Sequence, residues 1–148
     1  MRQKNFTFKA SIEMKYKGLT FLGYIPDGSE KQHIGIVLGN NDVLLKYCYC
    51  TSQFTRIINN VDFIELPKDR MSVYFTNPKR TFIFISMKHI IDILVITFSS
   101  RLESEYDIMQ LINDDILADI LNKIRNSNNL PERFKNDFFN LINEESLN

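Results

Sequence analysis

The chain has 148 residues, of which 44% are hydrophobic and 24% are charged. Such a length and composition are ordinary for one globular domain that buries a core without metal or disulfide support. No apolar run reaches the roughly 18–20 residues of a membrane span, and the N-terminus lacks the apolar stretch of a signal peptide. We therefore expect a single domain over residues 1–148, in the cytoplasm and without a membrane partner.

The charge balances overall but is unevenly distributed. Residues 1–102 carry 14 Lys and Arg against 8 Asp and Glu, whereas residues 103–148 carry 4 against 10. Such asymmetry favours a basic surface on the first part, of the kind that nucleic acid binds. The alternative, that the acidic part is simply the solvated face of helices, stays open.

The first two thirds of the chain show the short apolar and β-branched runs of strands, separated by turn residues. The predicted strands are 18–26, 33–39, 42–52, 60–67, 72–75, 80–86 and 91–98. The second and third flank the tight turn Gly39-Asn40-Asn41-Asp42, which predicts an antiparallel hairpin. The first 17 residues fit either a strand or a short helix, and 87–90 is predicted to be a short turn or a 3₁₀ segment.

Helical periodicity begins later. Ser104 to Asp107 resembles a capping box, which predicts a helix over about 104–125. Pro131 suits the first turn of a second helix, predicted over about 130–144. The pattern thus indicates a β-rich α+β fold in which a small bent sheet or barrel, over about 18–100, precedes one or two helices. The apolar stripe expected on the first helix is Ile108, Leu111, Ile112, Leu117, Ile120, Leu121 and Ile124.

The two cysteines, Cys48 and Cys50, are separated by one residue of a predicted strand, so their side chains share a face. A disulfide at that spacing is strained. The chain has only two histidines, His33 and His89, and neither has the spacing of a zinc ligand set. We expect both thiols to pack as small apolar groups in a reducing compartment, with no metal and no cofactor.

The stretch KQHIGIVLGNNDVLLKYCYCTSQ, residues 31–53, resembles a known family. Toxins of the MazF/PemK/Kid type carry a Gly-Arg-Pro-like stretch that enters a Val/Ile-Val-Leu strand, followed by a second strand that ends in Thr-Ser or Thr-Ala-Gln. Here HIGIVLG and CTSQ stand in those places, and the more distant ToxN-like toxins are similar. The resemblance implies a small SH3-like barrel of five to seven strands and an RNA-cleaving toxin of a toxin–antitoxin system.

The mechanism that the resemblance implies needs no metal. The 2′-hydroxyl of single-stranded RNA attacks the adjacent phosphate and leaves a cyclic phosphate, which requires a base, an acid and donors to the phosphorane. The family places an Arg at the start of the first strand and a Thr at the end of the second. Those positions are His33 and Thr51 here, and Ile34 replaces the family's Pro. Histidine serves as acid or base near neutral pH, but loss of the Arg fits a binding domain equally well.

The resemblance therefore implies a catalytic set at His33, Thr51 and Ser52. The residues expected to bind RNA are Lys31, Lys46, Gln53, Arg56, Lys79 and Arg80. His89 is a further acid or base candidate, and Tyr47 and Tyr49 would either stack bases or pack.

The expected partners are single-stranded RNA, a cognate antitoxin of protein or RNA, and a second copy in a homodimer. The Phe-rich second helix is either core or a docking face for such a partner. Two alternative functions remain: a non-catalytic SH3-like barrel that binds a protein or nucleic acid, and a structural protein of a phage or mobile element.

Overall fold

The computed structural model describes residues 16–26, 30–51, 62–66 and 81–142. Within these residues the chain forms seven strands and three helices. In chain order they are β1 (Leu19–Gly23), β2 (His33–Asn40), β3 (Leu44–Thr51), β4 (Asp62–Glu65), β5 (Phe82–Ile85), β6 (Ile90–Leu94), α1 (Val95–Ser104), β7 (Asp107–Leu111), α2 (Asp114–Asn126) and α3 (Glu132–Ile142). No helix of this described part is both long and apolar enough to cross a membrane.

The hairpin of β2 and β3 is the centre of an antiparallel sheet with the order β4-β5-β3-β2-β1-β7. Its turn is stabilised by Asn41, whose side-chain oxygen accepts hydrogen bonds from the backbone N–H groups of Val43 at 2.9 Å and Leu44 at 2.7 Å. Strand β3 is paired along both edges. Strand β2 runs along one edge, while β6 covers the first part of the other edge and β5 covers its end.

Side-chain alternation on the hairpin gives the sheet two buried faces. Ile36, Cys48 and Cys50 face a core shared with helices α2 and α3, whereas Val37, Tyr47 and Tyr49 face a second core. The second core is aromatic. It contains Phe21 of β1, Phe98 of α1 and Tyr106, together with Tyr16. The strand periodicity of two therefore decides which hairpin residues meet helices and which meet the aromatic cluster.

The β-rich α+β class and the central hairpin are confirmed. Closure into a barrel is not found among the described residues, because β4 and β7 lie at opposite ends of the strand order. The SH3-like identity therefore stays a proposal. The predicted strand 72–75 and residues 1–15 lie outside the described residues.

The predicted helix over 104–125 is wrong at its start, and the predicted strand 91–98 is too long. Strand β6 ends at Leu94, helix α1 occupies 95–104, and the chain then forms β7 before helix α2 begins at Asp114. Ile108 and Leu111 do not join a buried helical stripe, since they are 47% and 65% exposed.

Pairing with β1 explains the difference. Phe21 lies opposite Ile108, and the hydroxyl of Thr20 donates a hydrogen bond to the carbonyl oxygen of Gln110. Such long-range pairing overrides a local helical pattern. Helices α2 and α3 lie within the regions predicted to be helical, but they begin later, at Asp114 and Glu132. Asp114 and Asp115 supply the negative charge that favours the start of α2.

Candidate functional site

The start of β2 and the end of β3 lie side by side at one end of the hairpin. Gly35 is the register partner of Tyr49, and the Nδ1 atom of His33 lies 3.0 Å from the carbonyl oxygen of Cys50. Thr51, the last residue of β3, follows directly and pairs on its other side with Phe82 of β5. The structure thus brings His33 to the strand end that carries Thr51, and both residues are half-buried.

The hydrogen bond at Nδ1 determines the proton positions on His33. A carbonyl oxygen only accepts hydrogen bonds, so Nδ1 carries a proton in the neutral ring and Nε2 holds the lone pair. Nε2 is then the atom that exchanges a proton. It makes no contact with solvent, so a substrate hydroxyl reaches it only if neighbouring side chains shift.

A second histidine lies close to the first. The His33 and Tyr49 ring centroids are 5.4 Å apart, and the Tyr49 and His89 centroids are 5.6 Å apart. Tyr49 is therefore the common neighbour of both imidazoles. His89 also packs edge-on against Phe84, with centroids 5.2 Å apart, and its Nδ1 atom lies 2.6 Å from the hydroxyl oxygen of Ser86.

An irregularity between β5 and β6 places His89 beside Tyr49. Cys50 pairs with Ile83 and Cys48 pairs with Ile90, so the segment 84–89 stands opposite the single residue Tyr49. The extra residues leave the ladder in a turn, in which the backbone N–H of His89 donates to the Ser86 carbonyl oxygen at 3.0 Å. Of the turn or 3₁₀ segment predicted over 87–90, residues 87–89 form a turn and Ile90 begins β6. This turn carries His89 towards the β3 end.

The basic residues of the prediction are divided between different surfaces. Lys31 is exposed, two residues before His33. Lys88, which is not among the predicted residues, is exposed next to His89. Lys46 lies on the opposite face of β3. Its ammonium group is 2.7 Å from the Asp92 carboxylate, and its side chain is only 8% exposed.

The aromatic rings of Phe134 and Phe138 in α3 complete the surroundings of Lys46. They lie 5.8 and 6.0 Å from its ammonium group, which is within the range of a cation–π interaction. The structure therefore does not bring Lys46 to the end of the hairpin that holds the histidines.

Tyr47 and Tyr49 are both buried, at 0% and 7% exposure. Neither presents a face on which an RNA base stacks, so packing is the alternative that this arrangement favours. Burial, with the nearby Tyr106 as a lesser cause, raises the pKa of Tyr47 well above its ordinary value.

The two thiols face the helix-covered core. Both cysteines are free and buried. Burial raises the pKa of Cys48 to about 12 and that of Cys50 well above its ordinary value. Since the thiolate is the reactive form of cysteine, these residues are packed as apolar groups and are not a nucleophile.

Five predicted site residues lie outside the described residues, so their positions are not assigned: Ser52, Gln53, Arg56, Lys79 and Arg80. Among the residues that are described, no group of three or more His, Cys, Asp or Glu side chains forms a metal-binding cluster. Comparisons of the chain with protein-family models, with curated proteins and with solved structures found no match. The arrangement of side chains therefore carries the functional argument.

The segment that carries Ser86, Lys88 and His89 shows little sign of a site in the sequence, and only His89 is a candidate there. The only local pattern that points to a site is a histidine that follows a lysine directly and a serine three residues earlier. The contact with Tyr49 depends on the pairing of β3 with both β5 and β6, which no local pattern reveals.

Proposed function

We propose that the chain is a metal-independent endoribonuclease toxin that cleaves single-stranded RNA by attack of a 2′-hydroxyl on the adjacent phosphate. The observation that carries this proposal is the 3.0 Å contact between His33 Nδ1 and the Cys50 carbonyl oxygen. This contact holds the imidazole of His33 against the strand end that carries Thr51. In MazF/PemK-like toxins the site residues stand at these same two positions, the start of one strand and the end of the next.

Each group at this strand end has a role suited to its chemistry. Nε2 of His33 accepts the proton of the 2′-hydroxyl as a general base. The Thr51 hydroxyl donates a hydrogen bond to a phosphate oxygen, whose negative charge grows in the phosphorane. Lys31 is an exposed residue, and its positive charge attracts the RNA backbone. A cognate antitoxin and a second copy of the chain remain proposed partners.

One observation favours a second candidate, a non-catalytic domain that binds a protein or nucleic acid. Nε2 of His33 is buried, and burial is also what a histidine with a purely packing role shows. This candidate predicts RNA binding that weakens with salt, with no cleavage at any enzyme concentration.

The test uses a 5′-labelled single-stranded RNA incubated with purified protein in EDTA. Wild type is compared with His33→Ala, Thr51→Val and Thr51→Ser, and Lys123→Ala serves as a control at an exposed lysine of α2. We expect fragments that end in a cyclic phosphate, and a loss of about 10²–10⁴-fold in His33→Ala. Thr51→Ser keeps the hydroxyl and should retain most of the activity, whereas Thr51→Val, which preserves the shape, should not.

Three results would overturn the proposal, and the first is that wild type cleaves no RNA at all. Cleavage that disappears in EDTA requires a metal, and cleavage that is equal in wild type and His33→Ala excludes this site. Induction in bacteria provides an independent measurement, since a toxin arrests growth and the His33→Ala variant should not.

A further inference from the structure

We infer that His89 is the general acid of this site and donates a proton to the 5′-oxygen that leaves, while His33 is the base. This inference rests on the proposed RNA cleavage. It is carried by the position of Tyr49, whose ring lies next to both imidazoles.

The shared contact with Tyr49 limits how far apart the two imidazoles can be. Their centroids lie 5.4 and 5.6 Å from the Tyr49 centroid, so the histidine rings are at most about 11 Å apart. In an in-line displacement the attacking and leaving oxygens lie on opposite sides of phosphorus. The base must come within about 2.6–3.2 Å of the attacking oxygen, and the acid must come equally close to the leaving oxygen. Two separate groups on either side of one phosphate can do both at once, whereas one histidine cannot.

The surroundings of His89 fix its orientation and allow it to change protonation state. The Ser86 hydroxyl, 2.6 Å from Nδ1, donates to an unprotonated Nδ1 or accepts from a protonated one, because a hydroxyl has both capacities. Phe84 packs edge-on against the ring. The imidazole is thus held in place while Nε2 exchanges a proton. The backbone N–H of His89 anchors the turn through the Ser86 carbonyl oxygen.

The reaction balances without a further reactant. Nε2 of His33 takes the proton of the 2′-hydroxyl as the bond from the 2′-oxygen to phosphorus forms. The bond from phosphorus to the 5′-oxygen breaks, and that oxygen takes a proton from His89. The products are a 2′,3′-cyclic phosphate and a free 5′-hydroxyl. The proton gained by His33 and the proton lost by His89 are restored by exchange with water.

The test compares two RNA substrates that differ only at the cleaved bond. One has the natural 5′-oxygen, and the other has sulfur there, which leaves as a thiolate without needing a proton because a thiol is far more acidic than an alcohol. We expect His89→Ala to lose about 10²–10⁴-fold on the oxygen substrate and less than about tenfold on the sulfur substrate. His33→Ala should lose a similar factor on both, because a base is still required.

Matched variants separate a chemical role from a structural one. Tyr49→Phe keeps the ring that neighbours both histidines and should retain the wild-type ratio of the two substrates. His89→Gln keeps a polar side chain of similar length and should repeat the sulfur rescue if His89→Ala is poorly folded. Ser86→Ala should lower cleavage of the oxygen substrate more than that of the sulfur substrate, because Ser86 positions the acid.

The outcomes distinguish this inference from the proposed function. If wild type cleaves and the His89 variants lose the same factor on both substrates, His89 is not the acid, and the endoribonuclease proposal stands. If sulfur rescues His33→Ala instead, the two roles are reversed and the assignment is wrong. If wild type cleaves neither substrate, the proposed function itself fails.

Discussion

Replacement of Gly35 by Ala tests how the aromatic core supports the hairpin that carries His33. An ideal Cβ at this position would lie 2.3, 2.5 and 2.9 Å from three ring carbons of Phe21. Among the described glycines only Gly18 has a positive φ, so the backbone at Gly35 accepts alanine. The clash with the Phe21 ring therefore determines how Gly35→Ala changes the stability of the protein.

The Phe21 ring has little room to move away. It is fully buried, and its centroid lies 5.2 Å from those of both Tyr47 and Phe98 in edge-on contacts. An ordinary carbon–carbon contact is about 3.5 Å, so the nearest ring carbon must shift by about 1 Å. Crowding of a packed core costs about 1–3 kcal/mol, which exceeds the gain of about 0.4–1 kcal/mol from a less flexible unfolded chain.

We therefore expect Gly35→Ala to lower the free energy of unfolding by about 1–2 kcal/mol, measured by urea denaturation. The thermal midpoint should fall by about 2–4 °C for each kcal/mol in a chain of this size. The decisive comparison is a double-mutant cycle with Phe21→Leu, because removal of the ring should remove most of the penalty. If Gly35→Ala costs the same with and without the Phe21 ring, or costs nothing, the packing argument is wrong.

Two further predictions concern buried polar and ionisable groups. Asp92→Ala leaves the Lys46 ammonium buried without its carboxylate and should cost about 1–2 kcal/mol in urea denaturation, because Asp92 is half exposed and solvent screens the pair. Lys46→Met removes the charge but keeps the stem, so it should cost less than about 1 kcal/mol; a larger loss than in Asp92→Ala would contradict this account. Cys48 and Cys50 should not react with a thiol reagent at pH 8 until the protein unfolds. Since burial raises the pKa of Cys48 from 9.0 to about 12, the folded state retains a proton that the unfolded state releases, so stability should fall as pH rises from about 9 to 12. The fall should be smaller in Cys48→Ala, and an identical pH profile in the two proteins would refute the assignment.

The sequence predicts the elements that depend on local pattern. The β2–β3 hairpin follows from an apolar run rich in β-branched residues and a second apolar run on either side of the turn residues 39–42. Its alternation also puts both thiols on one face. Helix α3 follows from Pro131 and the apolar spacing of Phe134, Phe138 and Leu141. In each of these segments the local preference and the tertiary contacts agree, so a single sequence is enough.

The elements that the sequence misplaces depend on distant partners. Residues 107–111 have apolar spacing that suits a helix, but β1 offers them an unpaired edge and they form β7 instead. His89 approaches Tyr49 only because β3 pairs with both β5 and β6 around an extra loop. Lys46 looks like a phosphate ligand in sequence, but its place in the strand alternation puts it under helix α3.

The ion pair of Lys46 and Asp92 also favours one alignment of β6 against β3. The two residues stand directly opposite each other in the ladder. If β6 slipped by one residue, Ile91 or Ile93 would stand opposite Lys46, and the ammonium group would lose its carboxylate. The apolar side chains of β6 would also turn to the wrong face of the sheet. The same slip would carry His89 about 3.3 Å along the strand, away from Tyr49. An ion pair between a lysine buried under helix α3 and a half-exposed aspartate thus favours one alignment of the strand that follows His89, although neither residue lies at the site.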